Sequence, residues 1–268
     1  MSTPPASPAV LLRRLVASDP GRPRITVYDD TDSPTRGERI ELSARVLANW
    51  VAKAANLLRD DLDVGEGSVV LLDLPPHWRT LYWAFAAWSV GACVEVPAHR
   101  TSGDAGQGPA PSAAGAIVPD VVVTDAVGVA AAATEAVLVT LAALARSAAG
   151  PVPAGVVDEA RELATHGDVF DGWAQPDGSE PALRAAGVLL TYADLPTGSS
   201  GSSGSTGAPQ RIHTGTPDTA QLLRLALSVW AADGSLVLTR GEPDPAVLVA
   251  RLAAEGVSAA SAPRPPST

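Results

Sequence analysis

Apolar positions along the chain follow two alternating periods. From Ala9 to Ala17 they recur every three to four residues, which predicts a short amphipathic helix. The turn cluster DPGRPR then leads into Ile25 to Tyr28, read as a strand, and DDTDSPTRGER reads as a polar turn. After ERIEL, Ser43 stands as the N-cap of a helix whose Val46, Leu47, Trp50, Val51, Ala54, Leu57 and Leu58 keep helical spacing. Val69 to Leu74 is nearly continuous in apolar residues, as a strand covered on both faces requires, and Pro75 and Pro76 stop it. Trp78, Leu81, Tyr82, Phe85 and Trp88 then share one helical face, Gly91 breaks that helix, and ACVEVPA reads as another strand.

The alternation continues at lower contrast. Val121 to Thr124 predicts a strand, Ala126 to Ala133 a helix, Val137 to Thr140 a strand and Leu141 to Arg146 a helix. Pro151 to Thr165 adds a strand or helix start and a helix. DVFDGWAQPDGSEP is rich in turn formers, and Leu183 to Tyr192 reads as a helical turn running into a strand. Thr219 to Ala231 predicts a helix, Ser235 to Leu238 a strand and Pro245 to Glu255 a helix. Repeated β and α elements imply an α/β fold with a mixed, mostly parallel sheet or sheets flanked by helices. The expected organisation is a flexible start over 1–8, one α/β domain over 9–260 with loops near 100–116 and 196–218, and a disordered tail over 261–268.

Composition narrows the class of function. Apolar residues at 46% against 18% charged ones describe a globular chain and not a disordered one. A formal net charge of -10 repels phosphodiester backbones and anionic lipid, so neither nucleic acid nor membrane is an expected partner. Ala126 to Ala145 comes nearest to a membrane span, but Glu135 lies near its middle. Cys93 is the single cysteine, which excludes an intrachain disulfide and reads as a small buried hydrophobe. Met1 to Pro8 lacks the basic-then-apolar order of a signal peptide, so the expected location is cytoplasmic. Lys53 is the sole lysine, and any mechanism that needs a lysine must use it.

The block from Ile40 to Pro97, through LRDDLDVGEGSVVLLDLPP and WAFAAWSVGACVEVPA, resembles the N-terminal large domain of the adenylate-forming superfamily: AMP-binding acyl-CoA synthetases, nonribosomal adenylation domains and luciferases. DVVVTDA and DGSLVLTRGEPDPAVLVARLAAEGVSA resemble later passages of the same template. Within it, the chain is most similar to a group of short bacterial proteins with twilight similarity to AMP-binding enzymes, which offers no activity to carry over.

The sharpest resemblance is SSGSTGAPQ, Ser202 to Gln210, beside the family's phosphate loop T-S-G-[ST]-T-G-x-P-K. Glycines there let the backbone approach phosphates, hydroxyls and N–H groups donate to them, and a cation neutralises charge. The resemblance implies that Ser202, Ser203, Gly204, Ser205, Thr206 and Gly207 bind ATP or AMP with Mg, and that Gln210 replaces the cation. Arg211, one position later, points elsewhere from a fixed loop. GSSGSSGSTG also reads, with equal weight, as a flexible Ser/Gly linker.

The family's ribose motif and its C-terminal lid with a catalytic lysine do not follow Gln210; THGDVFDGW faintly resembles the ribose motif but precedes the loop, and reads as a turn. The resemblance therefore implies a degenerate homologue that binds a nucleotide or an acyl ligand. Were it active, it would be an acid ligase forming an acyl-adenylate, and no catalytic residue is assigned. The alternative is a non-catalytic scaffold or regulator acting through a protein partner; a third is a synthetase completed by a second polypeptide. His77, His99, His166 and His213 are too widely spaced for a metal site, and Asp29, Asp30 and Asp32 read as an acidic turn kept for solubility. Trp78, Tyr82, Phe85 and Trp88 read as core.

Overall fold

The computed structural model describes residues 7–97, 118–197 and 209–260. Its elements in chain order are α1 (Pro8–Ser18), β1 (Pro23–Asp30), β2 (Arg39–Ser43), α2 (Ala44–Asp60), β3 (Val69–Asp73), α3 (Trp78–Ser89), β4 (Cys93–Val96), β5 (Val121–Thr124), α4 (Val127–Ala132), β6 (Ala136–Leu138), β7 (Val156–Asp158), α5 (Glu159–Glu162), β8 (Pro181–Ala185), β9 (Val188–Thr191), β10 (Arg211–Thr214), α6 (Thr219–Ala231), β11 (Ser235–Gly241), α7 (Pro245–Ala254) and β12 (Ala259–Ala260). Two sheets result, one of five strands in the order β12-β10-β11-β1-β2 and one of seven in the order β7-β6-β5-β3-β4-β8-β9. Only β2 and β9 run antiparallel to their neighbours among the described strands.

The helices start where side chains satisfy their free N–H groups. Ser43 Oγ accepts from Val46 N at 3.3 Å at the start of α2, and Asp218 Oδ1 accepts from Gln221 N at 3.0 Å at the start of α6. Their apolar faces meet in one core. It joins Ile25, Val27, Leu236 and Leu238 of the five-stranded sheet to Val70, Leu72, Val94 and Val96 of the seven-stranded one, through α1, α2, α3 and α6. Every residue of α3 is buried. Trp78, Tyr82, Phe85 and Trp88 are core residues, as their helical spacing predicts. A smaller cluster packs α4 on the other face of the seven-stranded sheet, through Leu71, Val122, Val129 and Leu138.

Three expectations give way to the structure. Leu183 to Tyr192 is no helical turn but part of the β8–β9 hairpin, because Ala186 and Gly187 both take positive φ (48° and 76°), the pair that a tight two-residue hairpin needs. Leu141 to Arg146 forms turns in place of a helix. Its backbone is taken by tertiary bonds, Ala142 O accepting from Arg79 Nη2 at 2.9 Å and Ala143 N donating to Glu38 at 3.3 Å, and Leu144 is exposed. The stretch 196–218, expected as loop, contains β10, a strand too short to show a period, which pairs with β11 from Arg211↔Ser235 to Thr214↔Leu238. The loop near 100–116, most of the start over 1–8 and the tail over 261–268 lie outside the described residues. No described helix is long and apolar enough to cross a membrane.

Candidate functional site

The parallel strands bring their carboxyl ends to one side of the molecule in both sheets: Thr219 Oγ1, just past β10, donates to Leu74 O, just past β3, at 2.9 Å. The amino ends lie on the opposite side. Ser202, Ser203, Gly204, Ser205, Thr206 and Gly207 fall outside the described residues, but the topology fixes where the chain departs and returns. Because β9 is antiparallel to β8, the chain leaves the seven-stranded sheet at its amino edge. It re-enters at the amino edge of the five-stranded sheet, where Gln210 O accepts from Ser235 N at 2.9 Å.

Gln210 lines an open cavity of about 280 Å³ together with Arg22, Pro209, Asp233, Gly234 and Ser235. Glycine is required at 234, where a Cβ would lie 2.6 Å from Gln210 O. The cation of this cavity is already paired: Arg22 Nη1 meets Asp233 Oδ2 at 2.8 Å and its Nε lies 3.6 Å from Asp19, while Asp233 also holds the fully buried Arg24 at 2.8 Å.

Two further candidate cations, Arg211 and Lys53, are also committed. Arg211 Nη2 pairs with Glu255 at 2.5 Å and donates to Thr26 Oγ1 at 2.7 Å, while Nη1 donates to Ser235 Oγ at 3.2 Å. Lys53 Nζ pairs with Asp168 at 2.7 Å and donates to His166 O at 2.7 Å, fastening the segment after α5 onto α2.

At the carboxyl side lies a polar cluster that sequence reading did not assemble. Asp29 is buried and bonded to Arg240, Thr31 and Thr35, and Asp30 pairs with Arg251 at 2.6 Å, so two of the three aspartates read as a solubility turn are structural ion-pair partners. Burial pushes the Arg240 guanidinium down, opposed by Asp29, Asp125 and Glu38. Thr124 Oγ1 donates to Asp73 Oδ2 at 2.7 Å. His77 caps α3 by accepting from Arg79 N at 3.3 Å; burial, with Arg240 and Arg79 nearby, holds its imidazole well below the usual value and uncharged.

Deeper still, Arg79 Nη1 pairs with Glu159 at 2.7 Å, Tyr82 OH donates to the same carboxylate, and the guanidinium lies over the Trp78 ring at 4.4 Å. Burial pushes the Glu159 carboxyl up, against the pull of Arg79 and Tyr82. The one sequence signal for this cluster was an arginine inside an apolar helix, PPHWRTLYW. Cys93 is buried and its thiol is pushed up by burial, so it fits the role of a small hydrophobe. Among the described residues no group of His, Cys, Asp or Glu is arranged to hold a metal ion.

Two sheets stacked on a shared helical layer, entered and left in this order, are the fold of the N-terminal domain of adenylate-forming enzymes. The chain is similar to the acyl-CoA synthetase of Brucella canis (TM-score 0.68, 16% identity, 96% of this chain and 47% of that one). It is also similar to a Mycobacterium tuberculosis fatty acyl CoA synthetase (TM-score 0.61, 13% identity, 95% and 48%) and to the N-terminal subdomain of Klebsiella oxytoca NpsA (TM-score 0.56, 15% identity, 95% and 59%). It thus spans about half the length of the two synthetases. No family model matches the chain. A TIGR03089 family protein of Mycobacterium tuberculosis (strain ATCC 25618 / H37Rv) is 37% identical over 261 residues, 96% of this chain and 99% of the relative. The chain belongs to the TIGR03089 family.

Proposed function

We propose that the protein is a degenerate adenylate-forming homologue, which binds ATP or AMP with Mg, or an acyl ligand, through Ser202 to Gly207 and does not complete adenylation. The observation that carries this reading is that the two cations that could stand in for the loop's missing one, Arg211 and Lys53, are both committed elsewhere. Gln210 stands where the loop's cation belongs, Arg211 is tied to Glu255 and Thr26, and the single lysine, Lys53, is tied to Asp168. An adenylation step needs positive charge where the phosphate oxygens develop charge, and none of these groups is free to supply it. We place it in the cytoplasm, since a chain with the single cysteine Cys93 relies on no intrachain disulfide.

Titration calorimetry with Mg-ATP and with AMP, run beside pyrophosphate exchange across a panel of carboxylic acids, tests the reading. Saturable nucleotide binding that weakens at least about ten-fold in Ser203→Ala/Thr206→Ala, without pyrophosphate exchange, is the expected result. Exchange would show a complete adenylation site, and absence of any binding would move the function to a protein partner.

A further inference from the structure

The last described helix, α7, is attached to the rest of the molecule in an unusual way. It joins β11 to β12 across the outer face of the five-stranded sheet, yet none of its residues is buried and none belongs to either apolar core. Leu248 and Leu252 are half-buried on its inner face, and ion pairs flank them. Arg251 makes two bonds to the Asp30 carboxylate, at 2.6 and 3.0 Å, and stacks over the Tyr28 ring at 4.1 Å. Glu255, just past the helix end, accepts from Tyr28 OH at 2.5 Å, from Arg39 Nη2 at 2.8 Å and from Arg211 Nη2 at 2.5 Å.

The sheet face beneath is mostly polar, built from Thr26, Tyr28, Arg39, Glu41 and Arg211, with the buried Val237, in register with Thr26, as an apolar member outside both cores, so separating helix from sheet exposes a few apolar side chains and leaves the cores covered. Glycines with positive φ stand on both sides, Gly241 at 77° and Gly256 at 62°, where the chain turns with least strain. Beyond the second, Ser258 N donates to Arg211 O at 2.9 Å and keeps β12 registered on β10 independently of α7.

We propose that α7 is a charge-latched element that swings off the five-stranded sheet between Gly241 and Gly256 while both apolar cores stay closed, uncovering the ionic face of β1, β2 and β10. The helix is ten residues long, too short to hold helical structure alone in water, so undocking and unwinding are one event. The Arg251–Asp30 and Glu255–Arg39–Arg211 contacts set how often it occurs.

Hydrogen–deuterium exchange of the full chain tests this. The amides of 246–255 are expected to exchange at least about a hundred-fold faster than those of α2 and α3, a local opening beneath the global one. Arg251→Gln and Glu255→Gln, read separately so that either suffices if the other misfolds, are each expected to speed 246–255 about ten-fold and to leave α2 and α3 unchanged. Amides of α7 as protected as those of α2, or variants whose 246–255 exchange matches the parent, would overturn the proposal, as would a rise spread over the whole molecule.

Discussion

Helices α3 and α7 make an instructive pair. Each follows a parallel strand, is dominated by apolar residues and crosses to the next parallel strand, yet every residue of α3 is buried and none of α7 is. Apolar content therefore does not say how a helix is held. For α3 the answer is position: it lies between two sheets, and all sides of it meet protein. For α7 only one sheet is present, and the side chains at its contact are Leu248, Arg251, Leu252 and Glu255, all half-buried, while Val247 and Val249 point outward, 51% and 69% exposed.

The largest effect should come from the buried Arg79–Glu159 pair beside α3. Glu159→Ala leaves Arg79 buried without its carboxylate and is expected to cost roughly 3–5 kcal/mol in denaturant unfolding. The double change Arg79→Met/Glu159→Leu should recover most of that, since neither charge then remains to be desolvated. The comparison itself is sharpened by two truncations. Leu81→Ala in α3 should cost about 2–5 kcal/mol, whereas Val249→Ala in α7 should stay within about 0.5 kcal/mol; equal losses would contradict the difference in burial.

Smaller effects follow from caps and charges. Ser43→Ala removes the acceptor for Val46 N and should cost about 1 kcal/mol. At Glu255, burial raises the carboxyl but hydrogen bonds from Tyr28, Arg39 and Arg211 outweigh it and hold it at about 2, below its ordinary 4.5. A depressed acid stabilises the fold above its unfolded value and loses that contribution as pH falls. The difference in α7 protection between the parent and Glu255→Gln should therefore be full above pH 4.5 and vanish toward pH 2, and a difference that persists at pH 2 would contradict the assignment.

Much of this was legible in residues. Ser43 announces α2, Pro75 and Pro76 end β3, and the stripe from Trp78 to Trp88 marks a core helix, because local propensity and apolar period agree there. Leu183 to Tyr192 misled, since a short apolar run carries no period and the decisive fact, positive φ at Ala186 and Gly187, belongs to tertiary pairing. The site divides similarly. The Ser/Gly run is read from a resemblance and lies outside the described residues, whereas the partners of Arg211 and Lys53 could not be read from the sequence at all. Glu255 lies 44 residues from Arg211, and Asp168 lies on a segment brought over α2 only by folding.

The sequence by itself determined the order of helices and strands, the membership of an α/β class and the scarcity of lysine, since each depends on local periodicity or on a count. Tertiary structure alone decided that the strands divide into two sheets, that Arg79 meets Glu159 in the core, and that Arg251 and Glu255 pair α7 to the sheet. Those outcomes depend on which distant groups share a low-dielectric space, and no local pattern encodes that.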